Sequence, residues 1–179
     1  MKRVVLIGSE STGKTTLAKR LAEYYGVSWV PEFVRDYAAR KKDPLELSDH
    51  EPIARGQWAR EDESLERAEA RNERVLILDT DLLSTRVYCE HYYGHAPRWL
   101  EDAARERRPD LYLLLDIDLP WVPDPQRDRG HLRPEMHSLF REAVEKSGTP
   151  FVLIRGDGDE RFTAARDTID RLLIGADSP

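Results

Sequence analysis

The residue types and spacing that point most directly to chemistry lie in residues 8–15, GSESTGKT, a stretch of the form G-x-x-x-x-G-K-T. Gly8 and Gly13 allow backbone conformations in which successive N–H groups turn inward and surround a polyphosphate. The apolar run 4–7 predicts a strand before it, and the pattern from residue 16 predicts a helix, whose N-terminal partial positive charge favours the same anion. This context predicts a phosphate-binding loop and argues against an ordinary glycine-containing turn.

Two side chains at the end of this loop have specific predicted roles. Lys14 can reach the β- and γ-phosphates of a nucleotide as a mobile cation, and the Thr15 hydroxyl can ligate the Mg²⁺ ion that accompanies the nucleotide. The nucleotide-binding residues predicted from the loop are Gly8, Ser9, Glu10, Ser11, Thr12, Gly13, Lys14, Thr15 and Thr16.

Carboxylates follow a second apolar run. Residues 75–78, VLIL, have the continuous apolar character of a strand buried on both faces, and Asp79 and Asp81 come directly after them. Asp79 occupies the position expected of a carboxylate that holds Mg²⁺ or its waters beside a phosphate loop. Asp81 fits two roles equally well, an N-cap for a helix that begins at Leu82 and a substrate ligand.

Charged residues also follow a shorter predicted strand, residues 27–30. Glu32, Arg35 and Asp36 come after it, at the edge of an open α/β sheet where ligands bind. A hydroxyl acceptor benefits from a carboxylate that takes its proton, and Glu32 and Asp36 compete for that catalytic role, with Arg35 able to orient its neighbours by ion pairing. For each of the three, a solvated salt-bridge face is an equally good interpretation.

A long loop-like stretch, about residues 117–133, is dense in Pro, Asp, Gly and Arg. Long connections of this kind in compact domains are usually functional. Arg127, Arg129 and Arg133 recur across it, and guanidinium groups on such a segment can close over a triphosphate and stabilise transferred charge. We therefore predict a lid. The alternative is an exposed basic loop paired with its own aspartates.

The composition narrows the class of protein. A chain of 179 residues with 40% hydrophobic and 35% charged residues is typical of one globular domain, which we expect to span residues 1–179. The net charge of −6 argues against a nucleic-acid partner, and the apolar runs are too short to span a bilayer. The first strand leaves no room for a signal peptide, and the single Cys89 cannot form an internal disulfide. We therefore expect a cytoplasmic protein, and a homo-oligomer is compatible with these features.

The remaining pattern alternates strands with helices, which favours a parallel α/β sheet. Cys89 falls in a helical pattern, where a buried inert thiol is expected. Further strands are predicted at 110–115 and 150–154, and helices at 48–71 (with a capping box at 48–51), 82–93, from Pro97 onward, 134–146 and 160–173.

Four motifs together resemble a known family. They are residues 8–15 (GSESTGKT), 30–37 (VPEFVRDY), 78–85 (LDTDLLST) and 115–121 (LDIDLPW). In order and spacing they resemble the P-loop kinase superfamily of small-molecule kinases, and within it the ribosylnicotinamide kinase module of bifunctional NAD-salvage proteins. The first motif is specific only for nucleotide binding, and the other three narrow the family. The resemblance covers nearly the whole chain.

The resemblance implies the fold of an α/β P-loop NTPase of the nucleoside/nucleotide kinase type. Its three-layer sandwich has a five-stranded parallel sheet of order 2-3-1-4-5, with helices on both faces and a lid after the fourth strand. It also implies that adenine binds near the loop after the fifth strand, which here contains Gly156 and Asp157.

The same resemblance implies transfer of the γ-phosphoryl group of ATP, with Mg²⁺, to the 5′-hydroxyl of nicotinamide riboside, giving nicotinamide mononucleotide. Asp36 would then be able to hold the ribose hydroxyls instead of acting as base. Because the pyridinium ring is cationic, aromatic faces would attract it. The candidates are Trp121, Tyr88, Tyr92 and Trp58, although tyrosines at helical spacing more often pack against a core.

Two other functions fit the sequence. The acceptor of a kinase could be another nucleoside or a nucleoside monophosphate, whose phosphate Arg35 and Arg86 could bind. Against a monophosphate acceptor, residues 79–81 lack the arginine that thymidylate kinases are expected to show after the aspartate. A different class is a regulatory ATPase module, whose nucleotide state a partner protein reads.

Overall fold

The computed structural model describes residues 1–41, 43–121 and 130–176, which alternate strands and helices as the sequence pattern predicts. A short 3₁₀ helix, Gly130–Leu132, precedes the sixth α-helix. The elements are β1 (Lys2–Ile7), α1 (Lys14–Tyr25), β2 (Trp29–Val30), α2 (Phe33–Lys41), α3 (Leu47–Ala70), β3 (Val75–Asp79), α4 (Leu82–Tyr93), α5 (Arg98–Glu106), β4 (Leu111–Leu115), α6 (Arg133–Ser147), β5 (Phe151–Ile154) and α7 (Gly158–Ala176).

The described strands form one parallel sheet of order β2-β3-β1-β4-β5. This confirms the five-stranded sheet of order 2-3-1-4-5 that the resemblance implied. The register pairs Leu6 of β1 with Asp79 of β3, and Ile7 with Leu114 of β4. Because parallel strands share one carboxyl edge, the segments that follow β1, β3 and β4 meet there.

Two hydrophobic clusters lie on opposite faces of the sheet. Along β1, Val4 and Leu6 belong to the cluster shared with α1 and α7, whereas Val5 and Ile7 belong to the one shared with α3, α4 and α6. This alternation is what a strand buried on both faces requires, and it produces the three-layer sandwich. A third cluster joins α3, α4 and α5 around Cys89, whose side chain is fully buried. Burial raises the pKa of its thiol to about 11, which supports the expectation of an inert thiol.

Two predicted boundaries were wrong for local reasons. The capping box of α3 is formed by Glu46 and Asp49, not by residues 48–51, because the Asp49 carboxylate accepts a hydrogen bond from the Glu46 N–H (2.7 Å). Strand β2 contains two residues, not four. The Ser28 N–H donates to the Glu73 carboxylate (2.8 Å) instead of to a neighbouring strand, so the ladder begins at Trp29.

Across residues 1–41, 43–121 and 130–176, no helix combines the length and the apolar character needed to cross a bilayer.

Candidate active site

The predicted phosphate loop lies between β1 and α1 and packs closely against the end of β4. Gly8 has a φ of 143°, and a Cβ placed on it would lie 2.9 Å from the Leu115 carbonyl oxygen, so no side chain fits there. Gly13 has a φ of 81° at the N-terminus of α1, a left-handed conformation that favours glycine. The loop is thus curled by its backbone, as phosphate binding by N–H groups requires.

Lys14 is held at this loop. Its ammonium group donates hydrogen bonds to the carbonyl oxygens of Gly8 and Ser9, both at 2.8 Å. The Ser9 carbonyl also accepts a hydrogen bond from the Thr12 hydroxyl at 2.9 Å. These contacts place the cation where a bound polyphosphate would need it.

The Thr15 hydroxyl and the Asp79 carboxylate meet across the cleft between α1 and β3. The hydroxyl donates to Oδ2 of Asp79 at 2.5 Å. The Asp79 side chain is fully buried, and its Oδ1 has no hydrogen-bond partner within the part of the chain that the structure describes. Burial, reinforced by Glu32, raises the pKa of Asp79, whereas Lys14 lowers it.

A divalent cation fits this pair of residues. A buried carboxylate oxygen without a partner costs free energy unless a donor or cation satisfies it. Hydroxyl and carboxylate oxygens are the ligands that Mg²⁺ prefers, and Mg²⁺ commonly combines few protein ligands with phosphate oxygens and water. Thr15 and Asp79 are therefore able to hold Mg²⁺ together with a nucleotide, as the sequence predicted.

Thr80 is a feature of the site that the sequence analysis missed. Its φ of 72° is rare for a β-branched residue and marks backbone strain. Its N–H donates to the Leu6 carbonyl at 3.1 Å, so β3 stays attached to β1 up to this point. The strained residue separates Asp79, which pairs with Thr15, from Asp81, which pairs with Tyr112.

Asp81 is the N-cap of α4. Its Oδ1 accepts from the Ser84 N–H at 3.3 Å, and its Oδ2 accepts from the Tyr112 hydroxyl at 2.6 Å. The residue is 6% exposed, and its burial raises the pKa of the carboxyl group. Of the two roles that the sequence left open, the structure supports the cap. The substrate-ligand role is not supported, because both oxygens already have partners inside the protein.

Glu32 and Asp36 differ in their surroundings. The Glu32 carboxylate is 17% exposed and pairs with Arg35 at 2.8 Å. Both residues follow β2, whose Val30 pairs with Leu78 of β3, so they lie at the edge of the sheet where β3 ends in Asp79. The Asp36 carboxylate is 62% exposed and pairs with Arg60 at 2.7 Å. The geometry therefore favours Glu32 over Asp36 as the carboxylate that faces an acceptor.

Arg133 lies beside the phosphate loop. It lies at the start of α6, and its guanidinium group donates to the carbonyl oxygens of Ser11 (3.4 Å) and Leu119 (3.1 Å). Burial and the neighbouring Arg161 lower its pKa. The other two arginines predicted for the lid, Arg127 and Arg129, lie outside the described residues.

Arg161 was not singled out in the sequence because it falls inside an ordinary charged helix. It is 3% exposed and donates to the carbonyl oxygens of Thr12 (2.8 Å), Gly156 (2.6 Å) and Asp116 (3.0 Å). It also forms an ion pair with Asp118. A single guanidinium group thus joins the phosphate loop to the segments that follow β4 and β5.

The predicted adenine-binding turn after β5 is held by the same group of contacts. Gly156 has a φ of 87°, and its N–H donates to Asp118 at 2.7 Å. The N–H of Asp157 donates to Glu160 at 3.4 Å, and the Asp157 side chain is exposed. The turn therefore lies beside the phosphate loop, where a nucleotide base could contact it.

Three of the four aromatic candidates are packing residues. Tyr88 packs edge-on against the buried Phe140 with ring centroids 5.5 Å apart and stacks on Tyr92 at 6.0 Å. The Trp58 ring packs in the third cluster beneath the Arg107 guanidinium group. These contacts agree with the interpretation, favoured by the helical spacing, that these aromatic residues pack against other side chains of the protein. Trp121 is half-buried at the end of the segment after β4.

A buried polar network lies between α3 and the sheet. Glu61 is 2% exposed, lies within 3.5 Å of the guanidinium groups of Arg3 and Arg107, and accepts a hydrogen bond from Gln57 at 3.3 Å. Burial, reinforced by Asp81, raises the pKa of Glu61 to about 7, and the two arginines oppose this shift. The network extends from Arg3, near the start of β1, through Gln57 to the segment that carries Glu32.

Fold and loop geometry together define a P-loop nucleotide-binding protein. The fold alone does not imply nucleotide binding, and the Thr15–Asp79 pair beside the curled loop is the evidence from the site. The chain belongs to the AAA domain family, whose sequence profile matches residues 3–161.

Two curated relatives are similar over nearly the whole chain. The Trifunctional NAD biosynthesis/regulator protein NadR of Escherichia coli (strain K12) is 29% identical over 97% of this chain and 43% of its own length. The protein of the same name from Salmonella typhimurium (strain LT2) is 28% identical with the same coverage of 97% and 43%. The similarity confirms the resemblance stated from the motifs, although the chain spans less than half the length of these relatives.

Solved structures show the same fold. A crystal structure of NadR protein in complex with NR has a TM-score of 0.76 and 24% identity, covering 95% of this chain and 49% of that one. The crystal structure of NadR protein in complex with NAD and AMP-PNP has a TM-score of 0.73 and 26% identity, covering 95% of this chain and 49% of that one. The structure of thymidylate kinase from Ehrlichia chaffeensis has a TM-score of 0.60 and 17% identity, covering 96% of this chain and 98% of that one. These matches confirm the kinase-like P-loop fold.

Replacing Asp79 by asparagine tests the cation site. The amide keeps the size of the side chain but removes the charge, so we expect the affinity for ATP in the presence of Mg²⁺ to fall at least about tenfold, because a charged contact is lost. Affinity measured with EDTA should change little. Calorimetric titration with and without Mg²⁺ measures both values. Asp102→Asn, at an exposed ion pair on α5, is the matched control, and equal losses with and without Mg²⁺ would contradict the assignment.

The buried Glu61 predicts a pH dependence of stability. The folded state binds this proton more tightly than the unfolded chain, where the pKa is near 4.5, so the free energy of unfolding should fall as pH rises from about 4.5 to about 7 and stay level above. Glu61→Gln lacks this contribution. The wild-type value minus the variant value should decrease by up to about 3 kcal/mol across that window.

Urea denaturation of the two proteins at half-unit pH steps measures this difference, and Glu66→Gln, at an exposed position of α3, serves as control. Parallel pH profiles for the wild type and Glu61→Gln would show that folding does not raise the pKa of Glu61 and would contradict the prediction.

Proposed function

We propose that this chain transfers the γ-phosphoryl group of ATP to the 5′-hydroxyl of nicotinamide riboside, giving nicotinamide mononucleotide. The observation that carries the proposal is the hydrogen bond between the Thr15 hydroxyl and the buried Asp79 carboxylate, beside the curled phosphate loop. Glu32 follows β2, the strand that pairs with β3, so a carboxylate for an acceptor hydroxyl and a binding loop for the donor phosphates lie at the same edge of the sheet.

The comparisons support the choice of acceptor. The curated relatives are named for NAD biosynthesis, and solved NadR structures contain NR, nicotinamide riboside, or the ATP analogue AMP-PNP. Because the chain spans 43% of those relatives, only the activity of the matching part is proposed here. We further propose that residues 1–179 form one cytoplasmic domain with a lid at about 117–133.

Phosphoryl transfer requires positioning and charge stabilisation more than covalent chemistry. Lys14 and Arg133 are the described cations that can contact the phosphates, and Arg127 and Arg129 stay predicted contributors to the transferred charge. Glu32 is placed to accept the proton of the acceptor hydroxyl, while Arg35 holds its carboxylate. Mg²⁺, when held by Thr15 and Asp79, would neutralise charge between the β- and γ-phosphates.

A nucleoside monophosphate acceptor is less well supported. Its phosphate would need cations in the acceptor site, but Arg35 pairs with Glu32 at 2.8 Å and Arg86 pairs with Glu90 at 3.4 Å. The likeness to thymidylate kinase, at 17% identity, concerns the fold. A regulatory ATPase would hydrolyse ATP slowly without any acceptor, which distinguishes it experimentally.

The first experiment measures ADP release with Mg²⁺ and ATP in parallel reactions that contain nicotinamide riboside, other nucleosides, nucleoside monophosphates or no acceptor. We expect turnover with nicotinamide riboside that Lys14→Ala abolishes, because the loop loses its cation. Lys19→Ala, one turn along α1 where the ammonium lies over the Trp29 ring, is the control. Turnover that does not depend on an acceptor would refute the proposal and favour the regulatory ATPase.

The two competing carboxylates can be separated kinetically. Glu32→Gln should lower kcat about 10²- to 10⁴-fold, the usual contribution of a general base, while Asp36→Asn should change it only slightly because Asp36 pairs with Arg60 in solvent. The pH dependence of kcat in both variants provides a second readout. A large loss in Asp36→Asn with a small loss in Glu32→Gln would reverse the assignment.

A further inference from the structure

The segment that carries Glu32 is held by a neighbouring helix more than by its own packing. It joins β2 to α2, and α2 has no buried residue. One face of α3 contacts the segment through Gly56, Gln57 and Arg60, which lie within a little more than one helical turn. The position of Glu32 therefore depends on α3.

Two of these contacts fix the peptide groups on both sides of Glu32. The Arg60 guanidinium donates to the carbonyl oxygen of Pro31 at 3.3 Å, in the peptide that precedes Glu32. The N–H of Phe33, in the peptide that follows, donates to the side-chain oxygen of Gln57 at 2.9 Å. Because the backbone of a residue has only two soft dihedral angles, between its two planar peptides, fixing both peptides fixes the direction of its Cα–Cβ bond. The Arg35 contact at 2.8 Å then holds the carboxylate at the end of the side chain.

The Gln57 side chain is itself held in one orientation. It is 3% exposed, and its Nε2 donates to the Glu61 carboxylate at 3.3 Å while its oxygen accepts from Phe33. Glu61 in turn is paired with Arg3 at 3.4 Å and Arg107 at 3.5 Å. The amide is therefore anchored to the sheet, and the acceptor segment is anchored to the amide.

Gly56 provides a third contact by leaving space. A Cβ added there would lie 2.2 Å from ring atoms of Phe33, so the aromatic ring occupies the volume of the missing side chain. Glycine inside a helix costs about 1 kcal/mol relative to alanine. The Arg60 guanidinium group covers the same ring at 4.8 Å. The space that the Phe33 ring occupies is therefore created at the expense of helix stability.

We propose that Gln57 is a positioning residue for the kinase reaction, and that with Gly56 and Arg60 it orients the Glu32 carboxylate toward the acceptor hydroxyl. The inference rests on the proposed function, because it gives Glu32 its chemical role. It assigns a function to a face of α3 whose contacts, through Gly56, Gln57 and Arg60, are with the segment that carries Glu32.

The test compares acceptor and nucleotide kinetics in Gln57→Leu, which fills the space but cannot accept from Phe33. We expect kcat/KM for nicotinamide riboside to fall about 10- to 100-fold, the size of effect that a small misplacement of a reacting group produces. The KM for ATP should stay within about twofold, because the hydrogen bonds of Gln57 go to Phe33 and Glu61 and not to the phosphate loop. Glu66→Leu on the exposed side of α3 is the control.

An exchanged pair of side chains supplies a stricter test. Gln57→Glu alone places two carboxylates together and should impair acceptor turnover. Combining it with Glu61→Gln restores one carboxylate, at position 57, and one amide, at position 61. The carboxylate can accept a hydrogen bond from the Phe33 N–H, and the amide can donate one to the carboxylate, so activity should recover. No recovery in the double variant, or equal losses for acceptor and ATP, would overturn the proposal.

Gly56→Ala separates positioning from helix stability. If Gly56 seats Phe33, the variant should lose acceptor turnover even though alanine favours the helix. A more stable variant with unchanged turnover would overturn the proposal.

Amide hydrogen exchange of residues 32–36 reads the positioning without turnover. Exchange should be faster in Gln57→Leu than in the wild type, and unchanged exchange would count against the inference even if the wild type did not phosphorylate nicotinamide riboside. Absence of that wild-type activity would refute the proposed function separately.

Discussion

The hydrogen bond between the Thr15 hydroxyl and the Asp79 carboxylate joins the phosphate loop to the strand beside it, and the rest of the site depends on that junction. It exists because β1 and β3 are parallel neighbours in a register that pairs Leu6 with Asp79. A fully buried carboxylate with one unsatisfied oxygen is costly, and a bound cation would offset that cost. The fold therefore maintains a site that is most stable when ligands complete it.

The surrounding structure supplies the stabilisation that such a site requires. Two hydrophobic clusters cover the two faces of the sheet, so the strands that end at the site are fixed by apolar packing. Buried polar groups connect the loops. Arg161 joins the phosphate loop to the segments after β4 and β5, and the Gln57–Glu61 pair joins α3 to the segment with Glu32. The nucleotide side and the acceptor side thus have separate buried anchors.

This separation is consistent with a kinase, in which donor and acceptor must be oriented independently and then brought into line. In the proposed reaction, the phosphate loop, Arg133 and the turn after β5 would form the donor side, and the segment from Glu32 would form the acceptor side. Between them lies Asp79, which accepts a hydrogen bond from Thr15 and ends β3, the strand that pairs with both β1 and β2. The likeness to NadR proteins extends over both sides, because it covers 97% of the chain.

Local sequence patterns determined most of the fold and the donor site. The glycine spacing of residues 8–15 requires a particular backbone, and continuous apolar runs such as 75–78 require a strand covered on both faces, so both could be predicted. The roles of Glu32, Asp36 and Asp81 could not, because all are carboxylates beside strands or helices and only three-dimensional neighbours distinguish them. The roles of Arg161 and Gly56 are also visible only in the tertiary structure. Their partners, Thr12 and Phe33, lie 149 and 23 positions away, and periodicity within one helix carries no information about such contacts.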